Sequence, residues 1–173
     1  MFNTPADLVC NSCGICCQVM YNCAPLEDGE KRFFRSDGLE LPCKYSKGGC
    51  LVYYNRPKIC VDYKCYLAGR LERREIGLLG GRTIVLEARI LIASIEILLM
   101  PYIPDPLGLI NNMVIALLYG QGKGAAELII EHEDGKFRDI PALAVSNIDK
   151  LYGLLIAHFY HNTDLAEHGI GRS

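Results

Sequence analysis

Apolar positions are unevenly spread along this chain. Through the first fifty residues they come in short pieces broken by turn formers, with "EDGE", "SDG" and "SKGG" between them, and no long period of either kind runs through the stretch. Further on the pattern turns helical. In "YYNRPKICVDYKCYLAGRLERRE" the spacing predicts a helix from about Pro57 to Arg74, with Asn55 able to cap it and Pro57 preset for its first turn. Ile59, Tyr63, Tyr66, Leu67 and Leu71 would form its buried stripe. The run "IVLEARILIASIEILLM" at 84–100 predicts a buried helix. It is short for a membrane span and holds Glu87, Arg89 and Glu96, which would be costly in lipid.

Three prolines in "PYIPDP" then break the chain, and Asp105 followed by Pro106 predicts a helix start, with the helix reaching about Tyr119. "GQGKG" ends it, and a shorter helix is expected from about Gly124 to His132. "SNIDKLYGLLIAHFYHN" opens with Ser146 and Asp149 at capping-box spacing, and Ile148, Leu151, Tyr152, Leu155 and Phe159 give an apolar face. "GLLGG" at 77–81 lacks the surroundings of a nucleotide-binding loop and is expected to be a turn. No internal repeat or low-complexity segment is present. The expected fold is mainly α: a Cys-rich, metal-stapled module of loops and short helices at 1–74, packed on a helical C-terminal region at 75–173, or the two as one compact domain.

Composition changes this picture at two points. The formal net charge of −2 over 173 residues lacks the strongly basic balance of a nucleic-acid binder, and neither nucleic acid nor membrane is expected as a partner. The charge is split, a formal +3 up to residue 74 and −5 after it, and thiolates in the first part would offset the positive excess. The start, "MFNTPADLVC", has neither a basic n-region nor an apolar h-region, so a cytoplasmic location is expected. Reduced thiols follow, and disulfides are disfavoured there.

All nine cysteines lie between Cys10 and Cys65, whereas all four histidines lie at or after His132. Cys10, Cys13, Cys16 and Cys17 form one group, Cys43 and Cys50 a second, Cys60 and Cys65 a third, and Cys23 stands apart. A C-x2-C pair in a tight loop lets two thiolates turn to one ion while backbone N–H groups point at the sulfurs, in zinc knuckles and iron–sulfur proteins alike. Cys10, Cys13 and Cys16 have the spacing of three corners of a [4Fe–4S] cluster, with a fourth ligand from the distal group; the same residues suit a Cys₄ zinc site. Adjacent side chains diverge, so Cys16 and Cys17 are expected to face different centres, or one of them to be structural. Cys60 and Cys65, about 140° apart on an ideal helix, would not point the same way unless the helix is irregular between them.

Cys10-x2-Cys13-x2-Cys16-Cys17, followed by "GCLVYYNRPKICVDYKC", resembles the CxxCxxCC cysteine-cluster family of bacterial and archaeal proteins, described as zinc- or iron-chelating. The resemblance rests on the quadruple and on Gly49-Cys50, Tyr53, Arg56-Pro57, Cys60, Tyr63 and Cys65 in register, and covers roughly residues 10–70. It implies a metal-binding module. A relative of that module forms part of flagellin lysine-N-methylase, where an iron–sulfur cluster is implied. This chain departs from the pattern at Val61, where a basic residue is common, and in the extra Cys23; neither departure removes a ligand.

Arg56 could pair with thiolate charge or hold an anion at a helix N-terminus. With Tyr53 and Tyr63 it is the candidate for the layer around the sulfur, where tyrosines can wall off water and donate hydrogen bonds. Most of the other tyrosines in this half, Tyr21, Tyr45, Tyr54 and Tyr66, read as packing. His132, His158 and His161 have no acidic or cysteine partner at matching helical spacing and read as surface or interface residues. No nucleophile elbow, kinase signature or His-Glu zincin motif appears, so no enzyme class is assigned. The expectation is a metal-binding protein holding an iron–sulfur cluster, with [4Fe–4S] slightly favoured, through Cys10, Cys13, Cys16, Cys17, Cys43, Cys50, Cys60 and Cys65, with redox or cluster-assisted chemistry. The alternatives are a structural Zn²⁺ module that presents the helical region to a protein partner, and metal trafficking or sensing. Homo-oligomerisation is open through the apolar helical segments.

Overall fold

The computed structural model describes residues 4–18, 43, 45, 49–56, 58–110 and 140–160, without the side chains of Cys17, Lys58 and Ile59. Cys23, His132, His161, the expected helix at 124–132 and the part of the preceding one beyond residue 110 lie outside them. The described residues are mainly helical and contain no β-strand, only an isolated bridge at Cys50. The chain forms two compact units, Met1–Val85 and Leu86–Ser173, with the boundary falling inside one long helix.

In the first unit, α1 spans Pro5–Cys13 and α2 spans Ile15–Gln18. Helix α1 begins where it does because Thr4 and Asp7 form a capping box. The Thr4 hydroxyl accepts from the Asp7 backbone N–H at 3.2 Å, and the Asp7 carboxylate accepts from the Thr4 N–H at 3.1 Å. Pro5 occupies the first helical turn, where its missing N–H costs nothing. Gly14, at φ 69°, closes the helix in the left-handed conformation.

A single 3₁₀ turn at Tyr53–Asn55 precedes α3, Lys58–Asp62, and α4, Tyr66–Glu72. The continuous helix expected from Pro57 to Arg74 is therefore two short ones. The break falls at residues 63–65, where Cys65 takes an extended conformation, φ −64° and ψ 161°, and becomes the N-cap of α4. Helix α1 packs on α4. Ala6, Val9, Ile15, Tyr53, Leu67, Ala68 and Leu71 supply buried side chains. Of the expected stripe, Leu67 and Leu71 are buried and Tyr63 and Tyr66 half-buried.

Helix α5, Leu78–Leu99, starts inside "GLLGG", so the expected turn there is the first turn of a helix. Close packing explains the glycine at 81: a Cβ on it would stand 2.9 Å from Cδ2 of Leu71 on α4. In the second unit the apolar positions of α5 (Ala88, Ile92, Ile95 and Leu99) are buried, as expected of the 84–100 run, but the opposite side of the helix is exposed. A new helix opens at Pro106, where Asp105 Oδ1 accepts the Gly108 N–H at 3.1 Å, the predicted cap.

The last described helix, α6, spans Ala142–His158 and begins at Pro141, one turn before the Ser146 that the capping-box spacing suggests. Ser146 is exposed within it, while Ala144, Ile148, Leu151 and Leu155, followed by Phe159, are buried. The apolar period extends back to Ala144, so burial sets the helix start rather than the side-chain cap. The one buried polar side chain among the described residues, Asn147, donates to Ser94 Oγ of α5 at 2.9 Å. No helix among the described residues is long and apolar enough to cross a membrane.

Candidate metal centre

Seven of the eight expected ligands have described side chains, all in the first unit: Cys10, Cys13, Cys16, Cys43, Cys50, Cys60 and Cys65. All are free thiols. Cys10 and Cys13 lie three apart on α1, on neighbouring positions of one helix face, and not in the tight loop expected of a C-x2-C pair. The capping box and the Pro5 start carry the helix through both. Cys16 follows on α2 and is exposed, the others being half-buried. Gly14 between them turns the chain, which separates Cys16 from the line of α1.

Cys50 is fastened to this helix by main chain. Its N–H donates to the Asn11 carbonyl at 3.0 Å, and Gly49, at φ 158°, lies so close that a Cβ there would stand 2.5 Å from the same oxygen. The Gly49-Cys50 pair thus brings Cys50 onto α1. Cys60 lies on α3 and Cys65 at the entrance to α4; the break between the two helices releases Cys65 from the angle that a continuous helix would impose.

The thiols act on one another. Burial pushes Cys10 from an ordinary 9.0 up to about 12, and the charges of Cys65 and Cys16 push in the same direction. Burial likewise raises Cys13 well above its ordinary value and takes Cys60 to about 12 and Cys65 to about 11; Cys50 is raised too. Cys16 contributes to the rise at each of these five, and Cys43 contributes at Cys50 and Cys60. Opposing these effects are the backbone amides of Ile15 at Cys13, Val52 at Cys50, and Ala68 and Leu67 at Cys65. At Cys65 these amides favour the thiolate without forming a side-chain capping bond. The group is thus electrostatically coupled, and in the absence of a cation it holds its protons. Among the described residues, no three His, Cys, Asp or Glu side chains stand close enough together to hold one ion.

Arg56 is the cation that favours the thiolate forms, lowering Cys10, Cys50 and Cys60 against the larger effect of burial. Its guanidinium carbon stands 3.8 Å from the centroid of the Tyr53 ring, and its Nε is buried with no hydrogen-bond partner among the described residues. A buried N–H donor left unpaired is costly, and an anionic acceptor would remove that cost. Tyr53 in turn donates its hydroxyl to Asp7 Oδ1 at 2.8 Å, so the residue that caps α1 also anchors the ring beneath Arg56. Burial, then this bond to Asp7, raises the Tyr53 phenol above its ordinary value. Nothing in the cysteine spacing points to Asp7; its signal in the sequence is the Thr4-Pro5-x-Asp7 start. Tyr63 is half-buried. His158 stands half-buried in the last turn of α6, in the second unit.

Cysteine sulfurs are soft donors of the kind that soft or borderline metals take. No family model, characterised protein or solved structure matches the chain.

Proposed function

We propose that the first unit binds metal through cysteine thiolates, most favourably as an iron–sulfur cluster of the [4Fe–4S] kind, within a reducing cytoplasmic setting. Ligands would come from Cys10, Cys13, Cys16, Cys17, Cys43, Cys50, Cys60 and Cys65, and a bound cluster would supply electron transfer or cluster-assisted chemistry. The supporting observation is the coupling of seven thiols from four separate stretches of chain, with Arg56 as the opposing cation. Five of these thiols are raised by burial and by one another's charge, so a bound cation would be what stabilises their thiolate forms and displaces their protons. The sequence resemblance to the CxxCxxCC family points to the same chemistry.

The test is elemental analysis and a visible spectrum of protein purified without oxygen. The expected result is a brown protein containing iron and acid-labile sulfide. A colourless protein with stoichiometric zinc would replace the cluster with a structural zinc module, and metal removed by a mild chelator with the fold intact would indicate trafficking or sensing. Folded, metal-free protein from such a preparation would overturn metal binding altogether.

A further inference from the structure

The buried Nε of Arg56 sits in a frame that Asp7 builds. Asp7, Cys10 and Cys13 recur at three-residue spacing along α1, so the carboxylate and the two thiols occupy neighbouring positions on one side of that helix. The two carboxylate oxygens have different tasks. Oδ2 accepts the Thr4 N–H at 3.1 Å, which starts the helix, and Oδ1 accepts the Tyr53 hydroxyl at 2.8 Å. Tyr53 is buried, so its ring is held by the core around it and by that bond at its tip. On this ring the Arg56 guanidinium carbon rests, 3.8 Å from the centroid. Cys50, which precedes Arg56 in the chain, is held to the same helix through its N–H on the Asn11 carbonyl at 3.0 Å, and Cys60 follows on α3. Arg56 is thus fastened to the helix that carries Cys10 and Cys13, with Cys50 fastened beside it.

Arginine Nε carries a single N–H, and at Arg56 it is buried with no hydrogen-bond partner among the described residues. A protonated thiol is a weak acceptor. A metal-bound thiolate is anionic, has no proton to donate and accepts a charge-assisted hydrogen bond. Metal loading therefore creates near Arg56 the kind of acceptor that its Nε lacks. On the reading that the first unit binds metal, we propose that Arg56 Nε–H donates to a metal-bound thiolate, that of Cys10, Cys50 or Cys60, and that Asp7 is the positioning residue that sets this donor through the Tyr53 ring. The charge of Arg56 already favours the thiolate at each of the three. Because the bond is gained only with the metal, it favours the loaded protein over the unloaded one. The same carboxylate that starts α1 thereby ties the fold of the helix to the retention of metal.

Nuclear magnetic resonance on the full chain, with isotope-labelled arginine and loaded with spin-half cadmium under reducing conditions, tests the proposal. Cadmium is a soft ion that takes thiolate ligands, and its ultraviolet thiolate absorption reports loading separately. The expected result is one arginine Nε–H resonance, missing from Arg56→Lys, that is scalar-coupled to cadmium through the hydrogen bond to sulfur. Tyr53→Phe keeps the ring and the Thr4–Asp7 cap and loses the bond to Asp7, so it should load cadmium with wild-type circular dichroism while the coupling disappears. Loading without a coupled arginine, or with a coupling that survives Arg56→Lys, would overturn donation by Arg56 and leave metal binding standing. A coupling unchanged in Tyr53→Phe would overturn the positioning role of Asp7. If no thiolate absorption develops, metal binding falls and this inference falls with it.

Discussion

Arg56 shows how much chemistry a single side chain can carry. Its charge faces Cys10, Cys50 and Cys60, its plane lies 3.8 Å over the Tyr53 ring, and its buried Nε has no partner among the described residues. Arg56→Gln should therefore release bound metal to a chelator about tenfold faster than the wild type, the lower end of what outer-sphere substitutions cost. Arg56→Lys should fall between, because it keeps the charge and loses the planar stack. Chelator-release kinetics followed in the visible spectrum check this, and equal rates in all three proteins would remove Arg56 from the site. Proximity of Arg56 to sulfur could be read in the sequence from its place just before Pro57 in a cysteine-rich stretch. Its platform could not, since the Tyr53–Asp7 bond at 2.8 Å joins residues 46 positions apart.

Among the elements, the short helices around the cysteines were the least legible. A nine-residue α1 has too few apolar positions to show a period, and its start is written instead in the cap, Thr4, Pro5 and Asp7. The predicted helix at 57–74 breaks because Cys65 adopts an extended backbone and starts a helix of its own, a choice of local geometry that spacing does not reveal. The longer α5 and α6 declared themselves by periodicity, while their starts moved to where burial and close packing put them, at Leu78 and Ala142. Gly49 is the element-scale joint of the site. Gly49→Ala would drive a methyl against the Asn11 carbonyl, break the Cys50 bond to α1 and shift Cys50. A loss of about 1–3 kcal/mol in denaturant unfolding is expected, of the size found when a close contact is overfilled, together with reduced metal content. Unchanged stability and metal content would show that Cys50 does not depend on this contact.

At the scale of the whole molecule, the raised thiols make stability depend on pH. Cys10 and Cys60 titrate near 12 and Cys65 near 11 when folded, against an ordinary 9.0, so between pH 9 and about 12 the unfolded chain loses protons that the folded chain keeps. Metal-free protein should therefore lose stability steadily as pH rises through that window, while metal-bound protein, its ligands already deprotonated, should be weakened by acid instead. Denaturant midpoints measured across pH with and without metal distinguish the two; parallel curves would contradict thiolate ligation. The sequence alone determined that the chain is mainly helical, that the sulfur sits in the first part and that long apolar helices make up the second, because composition and periodicity are properties of local stretches. Tertiary structure decided which thiols influence one another, that Arg56 rests on a ring anchored through Asp7, and that α5 buries one apolar seam and leaves the other exposed. Those outcomes depend on contacts between distant residues, and neither spacing nor propensity encodes the distance between side chains that meet only after the chain has folded.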